Sequence, residues 1–355
     1  MADRPTVGYV GIDHHHTAPY LESLATLPVD LIAVCEPNES IPFDSVRGIS
    51  EVQQFREYEV FLDEIGPDII WVTLSNRDTP AVIHKALQRD IDVYSEKPGA
   101  RTARELQPLV ELERERDVTV GISYPWRSHP AAVRLREFAR EGAFGQVRSV
   151  AGRFNASQVR FRDTDHYLFD NEASRGGILQ WLGVHWVDLL PWILDDLIVR
   201  VCAVMDEDAT VDVEDSASVQ CEFESGASGT LSCGYYLRKG RYDTLLHITG
   251  MGGRAVWDPM GDYFGFDEET TLEYESTAKA DAPAPRNYVT YSYEPTPGYG
   301  GEFGRQFMKQ FLDARASSQV AVPAGLSDAL RVLRVLDAAY ESADSGSWVE
   351  VDRTE

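Results

Sequence analysis

The spacing of apolar positions changes near residue 123. Before that point, short apolar runs alternate with stretches of helical spacing. The runs predict strands at 7–10, 31–35, 69–72, 91–94 and 118–123, and the stretches between them predict helices at 19–27, 82–87 and 103–116. Strands that alternate with helices indicate a parallel sheet with right-handed crossovers. We therefore predict a doubly wound α/β domain of the nucleotide-binding type over residues 1–123.

Residues 124–355 follow a second pattern, which predicts an α+β domain for substrate binding and oligomerisation. A long strand is expected at 146–154, a helix at 177–194, and shorter strands at 199–204, 216–223, 229–236, 244–249 and 255–257. Turn residues such as Met251-Gly252-Gly253 separate these strands, which indicates a large, open, mostly antiparallel sheet with helices on one face. The polar, proline-interrupted stretch 267–300 is predicted to be a long loop. Amphipathic helices at 303–315 and 327–342 follow, and they can pack back on the first domain.

The charge balance narrows the set of partners. Formal net charge is −25 over 355 residues, and only five of the 33 basic residues are lysine. Such an acidic chain repels nucleic acid and anionic membranes, so we expect neither as a partner. It also repels itself unless salt screens its charges. We interpret the composition as adaptation to very high salt, in a halophile.

Cysteine usage and the chain start favour the cytoplasm. The four cysteines have neither CxxC spacing nor a regular framework, as is usual in a reducing compartment. The first residues lead straight into a strand without the apolar segment of a signal peptide. The most apolar window, 178–199, contains too many polar residues for a membrane span. A cytoplasmic location is therefore expected.

Glu96-Lys97-Pro98 directly follows the strand predicted at 91–94. Ligands of open α/β sheets bind outside the carboxyl ends of the strands, so Lys97 is expected at a ligand crevice. Thr73, Ser75 and Asn76 follow the neighbouring predicted strand and are assigned to the same cofactor site, together with Glu96 and Lys97. The alternative is that Lys97 is an ordinary solvated loop lysine.

A dinucleotide-binding loop is expected after the first strand, where the sequence reads Gly11-Ile12-Asp13-His14-His15-His16. Only the first glycine of the usual G-x-G-x-x-G pattern is present, and Asp13 adds a negative charge where pyrophosphate approaches. The histidines can compensate by donating hydrogen bonds, more strongly if protonated. We assign Gly11, Ile12, Asp13, His14 and His15 to cofactor binding. A metal bound by the histidines is the weaker alternative, and we predict none.

Glu36 lies 25 residues after Gly11, at the end of the second predicted strand. An acidic side chain at this position accepts hydrogen bonds from an adenosine ribose, and it repels the 2′-phosphate of NADP. NAD is therefore the expected cofactor. The competing interpretation of Glu36 is an exposed turn residue before Pro37.

The predicted helix 177–194 contains a second set of candidate residues. Trp181, His185 and Asp188 are spaced i, i+4 and i+7, which places them on one stripe. Gly176 and Gly177 precede them and permit close approach of a ligand or another backbone. A histidine on such an apolar helix can equally be a core residue with its hydrogen bonds satisfied.

With Lys97, these motifs together resemble the Gfo/Idh/MocA family of oxidoreductases. The resemblance spans nearly the whole chain and depends most on Glu96-Lys97-Pro98, Gly176-Gly177 and Gly183-Val184-His185-Trp186-Val187-Asp188. It implies an N-terminal Rossmann domain and a C-terminal α/β domain whose sheet often forms a dimer or tetramer interface. A homodimer or homotetramer is thus expected.

The resemblance also implies hydride transfer between a nicotinamide and a carbon bearing a sugar or polyol hydroxyl. His185 is then the acid/base and Lys97 its partner on the substrate oxygen. The family commonly has an aspartate four residues before this histidine, where this chain has Trp181. Thr79 stands where many members have histidine. Tyr124, Arg127, Tyr167, Trp181 and His185 are candidate substrate-binding residues.

Two other functions remain open at this point. A non-redox glycosidase or lyase that retains NAD is one, since some relatives in the family behave this way. The other is a non-catalytic sugar- or nucleotide-binding descendant, for which an altered glycine motif and a missing aspartate are typical.

Overall fold

The structure is a computed structural model that describes residues 4–207, 210–260, 269–277, 286–292 and 296–354. The chain forms two compact units. The first unit comprises Met1–Pro125 and Thr296–Leu330, and the second comprises Trp126–Pro295 and Arg331–Glu355. The functional division at residues 123 and 124 stays a prediction.

The first unit contains the predicted parallel sheet, which confirms the doubly wound fold. Its strand order is β3-β2-β1-β4-β5-β6, and every neighbouring pair is parallel. The strands are β1 Thr6–Val10, β2 Asp30–Cys35, β3 Gln53–Phe55, β4 Ile69–Val72, β5 Asp92–Ser95 and β6 Val120–Ile122. The helices are α1 Thr17–Thr26, α2 Tyr58–Ile65, α3 Thr79–Leu87, α4 Ala103–Arg114 and, later in the chain, α8 Gly301–Ala316.

Close packing in this unit explains two glycines of the sheet. A Cβ on Gly8 in β1 would lie 2.2 Å from the ring of Phe61 in α2. A Cβ on Gly121 in β6 would lie 2.6 Å from the ring of Phe311 in α8. All four residues of β4 are buried, as expected for a central strand of a parallel sheet covered on both faces.

The second unit contains a nine-stranded sheet of order β14-β13-β12-β11-β7-β10-β9-β8-β15. Only the β7–β10 pair is parallel among these neighbours, so the prediction of a mostly antiparallel sheet is confirmed. The strands are β7 Val147–Ser157, β8 Ile198–Asp206, β9 Ser216–Phe223, β10 Ser228–Leu237, β11 Asp243–Gly250, β12 Gly253–Trp257, β13 Glu269–Ser276, β14 Asn287–Ser292 and β15 Val349–Glu350. Its helices are α5 Pro130–Arg140, α6 Asn171–Ser174 and α7 Val184–Leu194, and α9 Leu326–Ser345 begins in the first unit.

The prediction of a long loop over 267–300 is wrong at 269–276 and 287–292, where the structure has strands, and it agrees with the turn at 296–300. β13 and β14 pair with each other there and extend the sheet from β12 to its edge. The side chains of β14 alternate between half-buried and exposed, so an edge strand of this kind carries no continuous apolar run. Part of the predicted loop lies outside the described residues.

The helix predicted at 177–194 has an irregular start. Leu179–Gly183 forms a π-helical turn, and the α-helix proper, α7, begins only at Val184. A π turn inside a helix is rare and is often found at functional sites. Within the described parts of the chain, no helix combines the length and apolar character needed to cross a membrane.

Candidate active site

Four strands of the first unit end beside the predicted cofactor residues. Gly11 follows β1, Glu36 follows β2, Thr73 follows β4 and Glu96 follows β5. β2, β1, β4 and β5 are consecutive and parallel in the sheet, so these residues lie at one edge. Ligands of open α/β sheets bind at this edge, which makes it the candidate cofactor site.

Gly11 has a backbone conformation that side chains rarely adopt, with φ of +87°. A Cβ at this position would lie 2.8 Å from the carbonyl oxygen of Thr73. The glycine is therefore required by the turn, although the second and third glycines of the usual pattern are replaced by Asp13 and His16.

Glu36 is buried, with 2% of its surface exposed, so its interpretation as an exposed turn residue is wrong. Its carboxylate accepts hydrogen bonds from the backbone N–H groups of Ile12, at 2.6 Å, and Asn38, at 2.8 Å. Burial raises the pKa of Glu36, and the two N–H donors oppose that shift. The side chain thus connects the end of β2 to the glycine loop.

The three histidines of the loop have different environments. His14 is buried and its Nδ1 accepts a hydrogen bond from the backbone N–H of His16, at 2.9 Å. Burial lowers the pKa of His14 well below its usual value, which keeps the ring neutral. His15 is exposed. The sequence suggested that a protonated His14 could donate a hydrogen bond to a pyrophosphate. The burial of His14 does not agree with a protonated ring.

His16 and His14 lie near Glu96, and one donor atom from each of the three residues falls within 4.8 Å of the others. Two of these possible metal ligands already bind each other, because His16 Nδ1 lies 2.7 Å from the Glu96 carboxylate. His14 Nδ1 is likewise occupied by a backbone N–H. The absence of a metal stays a prediction.

Lys97 is buried, with 2% of its surface exposed, so it is not a solvated loop lysine. Burial lowers its pKa to about 8, and the adjacent Glu96 acts against that shift. The Glu96 carboxylate accepts hydrogen bonds from the Lys97 backbone N–H, at 2.9 Å, and from the Tyr20 hydroxyl, at 3.0 Å. Tyr20 Oη also lies 2.8 Å from Ser123 Oγ. Glu96 is therefore held between α1, which carries Tyr20, and the segment after β5, which carries Lys97.

Thr73, Ser75 and Asn76 are all buried after β4. Thr73 Oγ1 lies 3.0 Å from the Tyr9 hydroxyl, and the Ser75 hydroxyl donates to Asp78 at 2.6 Å. The structure thus places these predicted cofactor residues at the sheet edge, where their contacts fix the loop that leads into α3.

The second unit holds the other predicted catalytic residue. His185 and Trp181 are both buried, each with 5% of its surface exposed. Asp188 lies one turn after His185 and accepts hydrogen bonds from Arg127 Nε, at 3.0 and 3.1 Å. This buried ion pair holds α7 against the 3₁₀ turn Pro125–Ser128. A substrate-binding role for Arg127 stays a prediction.

The two predicted tyrosines have different surroundings and belong to different units. Tyr124 is fully buried in the first unit. Tyr167 is half-buried in the second, in the 3₁₀ turn Tyr167–Phe169. Their role in binding substrate also stays a prediction.

Glu214 was missed by the sequence analysis. It is buried two residues before β9, and its carboxylate accepts hydrogen bonds from the backbone N–H groups of Gly177 and Leu179. Gly177 and Leu179 lie 37 and 35 positions before Glu214 in the chain, so no local pattern connects them to it. The Glu214-Asp215 pair before a predicted strand was the only available signal.

Comparison of the sequence with protein families gives two matches. Residues 6–124 match the Gfo/Idh/MocA model described as an oxidoreductase family with an NAD-binding Rossmann fold. Residues 132–256 match the model of the Gfo/Idh/MocA C-terminal domain.

Similar proteins of known activity are sugar and polyol dehydrogenases. D-xylose 1-dehydrogenase (NADP(+)) 2 of Haloferax volcanii is 25% identical over 300 residues, which cover 84% of this chain and 85% of that protein. Inositol 2-dehydrogenase of Salmonella typhimurium is 25% identical over 256 residues, covering 70% of this chain and 71% of that one. The solved structure of levoglucosan dehydrogenase in complex with NADH has a TM-score of 0.84 at 19% identity, with 99% of this chain and 100% of that chain covered. At that identity, the structural likeness shows the fold.

Proposed function

The chain belongs to the Gfo/Idh/MocA family of oxidoreductases, and from this premise we propose that it is an NAD-dependent dehydrogenase or reductase of a carbohydrate or polyol. The observation that carries the proposal is the burial of Lys97 at the carboxyl end of β5, with its pKa lowered to about 8. A lysine in such a place can share a proton with a substrate oxygen near neutral pH.

The first unit fits a dinucleotide at its sheet edge. Gly11 leaves room where a Cβ would meet Thr73, and Glu36 has its carboxylate at the end of β2. Glu36 would bind the adenosine ribose, and its negative charge favours NAD over NADP. The further residues assigned to this site are Ile12, Asp13, His14, His15, Thr73, Ser75, Asn76, Glu96 and Lys97. When bound, the nicotinamide supplies the hydride acceptor or donor of the reaction.

In the proposed reaction, His185 transfers the proton of the substrate hydroxyl and Lys97 stabilises the charge on its oxygen. Oxidation of a carbinol requires loss of the hydroxyl proton as the hydride leaves carbon, and a neutral imidazole at His185 accepts that proton. The Lys97 ammonium stabilises the alkoxide character that develops on the same oxygen. In the reducing direction His185 returns this proton to the substrate oxygen, while the Lys97 ammonium stabilises the negative charge on that oxygen.

Trp181 replaces the aspartate that the family commonly has four residues before the histidine. It cannot ionise, and we infer that it packs against the apolar face of a sugar ring. Tyr124, Arg127 and Tyr167 are proposed to complete the substrate pocket. The relatives named for xylose and inositol support small sugars and cyclitols as the substrate class.

Binding of the cofactor is tested first, by titrating the purified protein with NADH and NADPH in molar KCl. Energy transfer from tryptophan to the reduced nicotinamide reports binding. The proposal expects saturable binding with NADH tighter than NADPH. Binding of neither nucleotide to folded protein would overturn it, and would favour a non-catalytic protein.

Turnover with a panel of sugars and polyols then tests the chemistry. Lys97→Ala and His185→Ala should each lower kcat by roughly a hundredfold to ten-thousandfold, the range of general acid–base catalysis, with circular dichroism unchanged. Near-normal turnover in either variant would remove that residue from the mechanism. Substrate cleavage without net change of the nicotinamide would instead identify an NAD-retaining glycosidase or lyase.

The cellular setting is a further part of the proposal. The charge of −25 and the likeness to a Haloferax volcanii enzyme support a halophilic origin. The four free cysteines support a cytoplasmic enzyme. Exposed apolar side chains on β8, β10 and β14, namely Val204, Tyr236 and Tyr288, support a homodimer or homotetramer. Light scattering in molar KCl measures the oligomer size, and a monomer would contradict this part.

A further inference from the structure

The helix that carries His185 starts without a capping side chain of its own. The π-helical turn Leu179–Gly183 has no hydrogen bond from its N-cap side chain, and Gly176 and Gly177 before it have no side chains. Backbone N–H groups in the first turn of a helix lack partners within the helix. Something outside this segment must therefore bind them.

Glu214 binds three of these N–H groups in a row. Its carboxylate accepts from Gly177 at 2.7 Å and from Leu179 at 2.9 Å, and its backbone carbonyl accepts from Ile178 at 3.0 Å. The Tyr340 hydroxyl donates to the same carboxylate at 3.0 Å. A carboxylate at this end of a helix is also favoured by the helix dipole.

The two glycines fit tightly against this pair of residues. A Cβ on Gly177 would lie 1.9 Å from the carbonyl oxygen of Glu214, and a Cβ on Gly176 would lie 1.8 Å from the Tyr340 hydroxyl. Arg175 adds a further contact, because its guanidinium lies 4.6 Å from the centre of the Tyr340 ring. The Gly176-Gly177 motif is thus explained by contacts within the second unit, without a ligand.

We propose that Glu214, held by Tyr340, is a positioning residue that sets the place of His185. The connection is direct along the helix, because Glu214 binds Gly177 and Leu179 and the π turn that follows leads straight to Val184 and His185. A displacement of about 1 Å at a catalytic group can lower a rate by roughly a hundredfold. This inference depends on the proposed role of His185 as the acid/base.

A double-mutant cycle between Glu214→Gln and His185→Ala tests the inference. The amide of glutamine places an NH₂ group against a backbone N–H, which disturbs the helix start. We expect E214Q to lower kcat roughly tenfold to a hundredfold in the otherwise unaltered protein, and by less than about twofold when His185 is already alanine. NADH affinity should stay the same, since the glycine loop belongs to the other unit.

Two further variants control the experiment. Glu222→Gln makes the same chemical change near the end of β9 that is far from Glu214, where Glu222 pairs with Arg200 at 2.9 Å, so kcat should not change. Tyr340→Phe removes only the hydroxyl that holds Glu214 and should lower kcat several-fold. It keeps the test available if E214Q does not fold.

The pH dependence of kcat gives a second readout. The limb of the pH profile that disappears in His185→Ala is assigned to His185. Displacement of His185 should shift this limb in E214Q but not in E222Q. If turnover in the His185→Ala background is too slow to measure, this shift decides the test. Equal losses from E214Q in both backgrounds would indicate general structural damage and overturn the inference. An unmodified protein without sugar turnover, or a fully active His185→Ala, would instead show that the proposed function has failed.

Discussion

Glu36 in the first unit and Glu214 in the second make similar local contacts. Each is a buried carboxylate that accepts hydrogen bonds from backbone N–H groups near a glycine that the structure requires. Burial raises the pKa of both, and the backbone donors oppose the shift in both. Their positions differ, because Glu36 directly follows strand β2 at the edge of a parallel sheet, whereas Glu214 lies against the start of a helix within its own unit.

The two carboxylates also differ in the number of hydrogen bonds that they already accept within the protein. A carboxylate has about four lone-pair positions. Glu36 has two backbone partners, which leaves capacity for the hydroxyls of a ribose at the ligand edge. Glu214 has two backbone partners and the Tyr340 hydroxyl. An acidic residue bound beside a glycine can thus serve a ligand or the fold, and its place relative to the sheet edge distinguishes the two.

The largest effect is expected from adding a methyl group beside Glu214. Gly177→Ala would bring a Cβ to within 1.9 Å of a backbone oxygen, and we expect a loss of roughly 3 kcal/mol or more in the free energy of unfolding. Gly11→Ala meets Thr73 at 2.8 Å with a φ of +87°, so a smaller loss of roughly 1–3 kcal/mol is expected.

Urea denaturation in molar KCl measures both changes. Gly325→Ala is the matched control, because its Cβ would lie 3.4 Å from its nearest neighbour, at ordinary contact distance. If Gly177→Ala were as stable as this control, the close packing on Glu214 would be wrong.

A buried histidine at another helix start extends the comparison to the pH dependence of stability. His129 caps α5, where its Nδ1 accepts from the Ala131 backbone N–H at 3.1 Å. Burial lowers the pKa of His129 from 6.5 to about 3. The unfolded chain therefore binds a proton between these values and the folded protein does not. Stability from this residue is complete above pH 6.5 and falls with decreasing pH, by up to about 1.4 kcal/mol per pH unit.

Thermal unfolding at a series of pH values between 7 and 5 checks this expectation. His129→Asn keeps a side chain that can cap a helix but cannot be protonated, so part of the acid destabilisation should disappear. An unchanged pH dependence in this variant would mean that His129 is not responsible for it.

A smaller effect is expected at Glu36 and concerns cofactor choice. Glu36→Gln removes the negative charge that repels a 2′-phosphate, and we expect the ratio of NADPH to NADH affinity to rise roughly tenfold. Glu214→Gln is the matched control and should leave this ratio unchanged. An equal response of the ratio to both substitutions would remove the functional distinction between the two glutamates.

Much of the fold and part of the site were predictable from local sequence. The alternation of apolar runs and helical spacing over residues 5–123 identified five of the six strands of the parallel sheet, because each of these five contains at least three consecutive buried residues. The strand β3, with only three residues, carries too little pattern to be seen. The place of Lys97 and Glu36 at the sheet edge was predictable, because chain order alone puts residues at the carboxyl ends of parallel strands on one edge.

Contacts between distant residues were beyond the reach of such patterns. Glu96 binds His16 across 80 positions, and Arg127 binds Asp188 across 61. β13 and β14 were predicted as loop, since their pairing depends on partner strands and not on an apolar run of their own.

The sequence by itself determined most of the order of strands and helices, the two sheet types and the family motifs, because periodicity and turn residues act over a few neighbouring positions. The tertiary structure decided which donors and acceptors meet. Burial of Glu36, Lys97 and Glu214, and hence their altered pKa values, comes from residues packed around them in space. Desolvation and hydrogen bonding depend on that packing, which no local stretch of the chain contains.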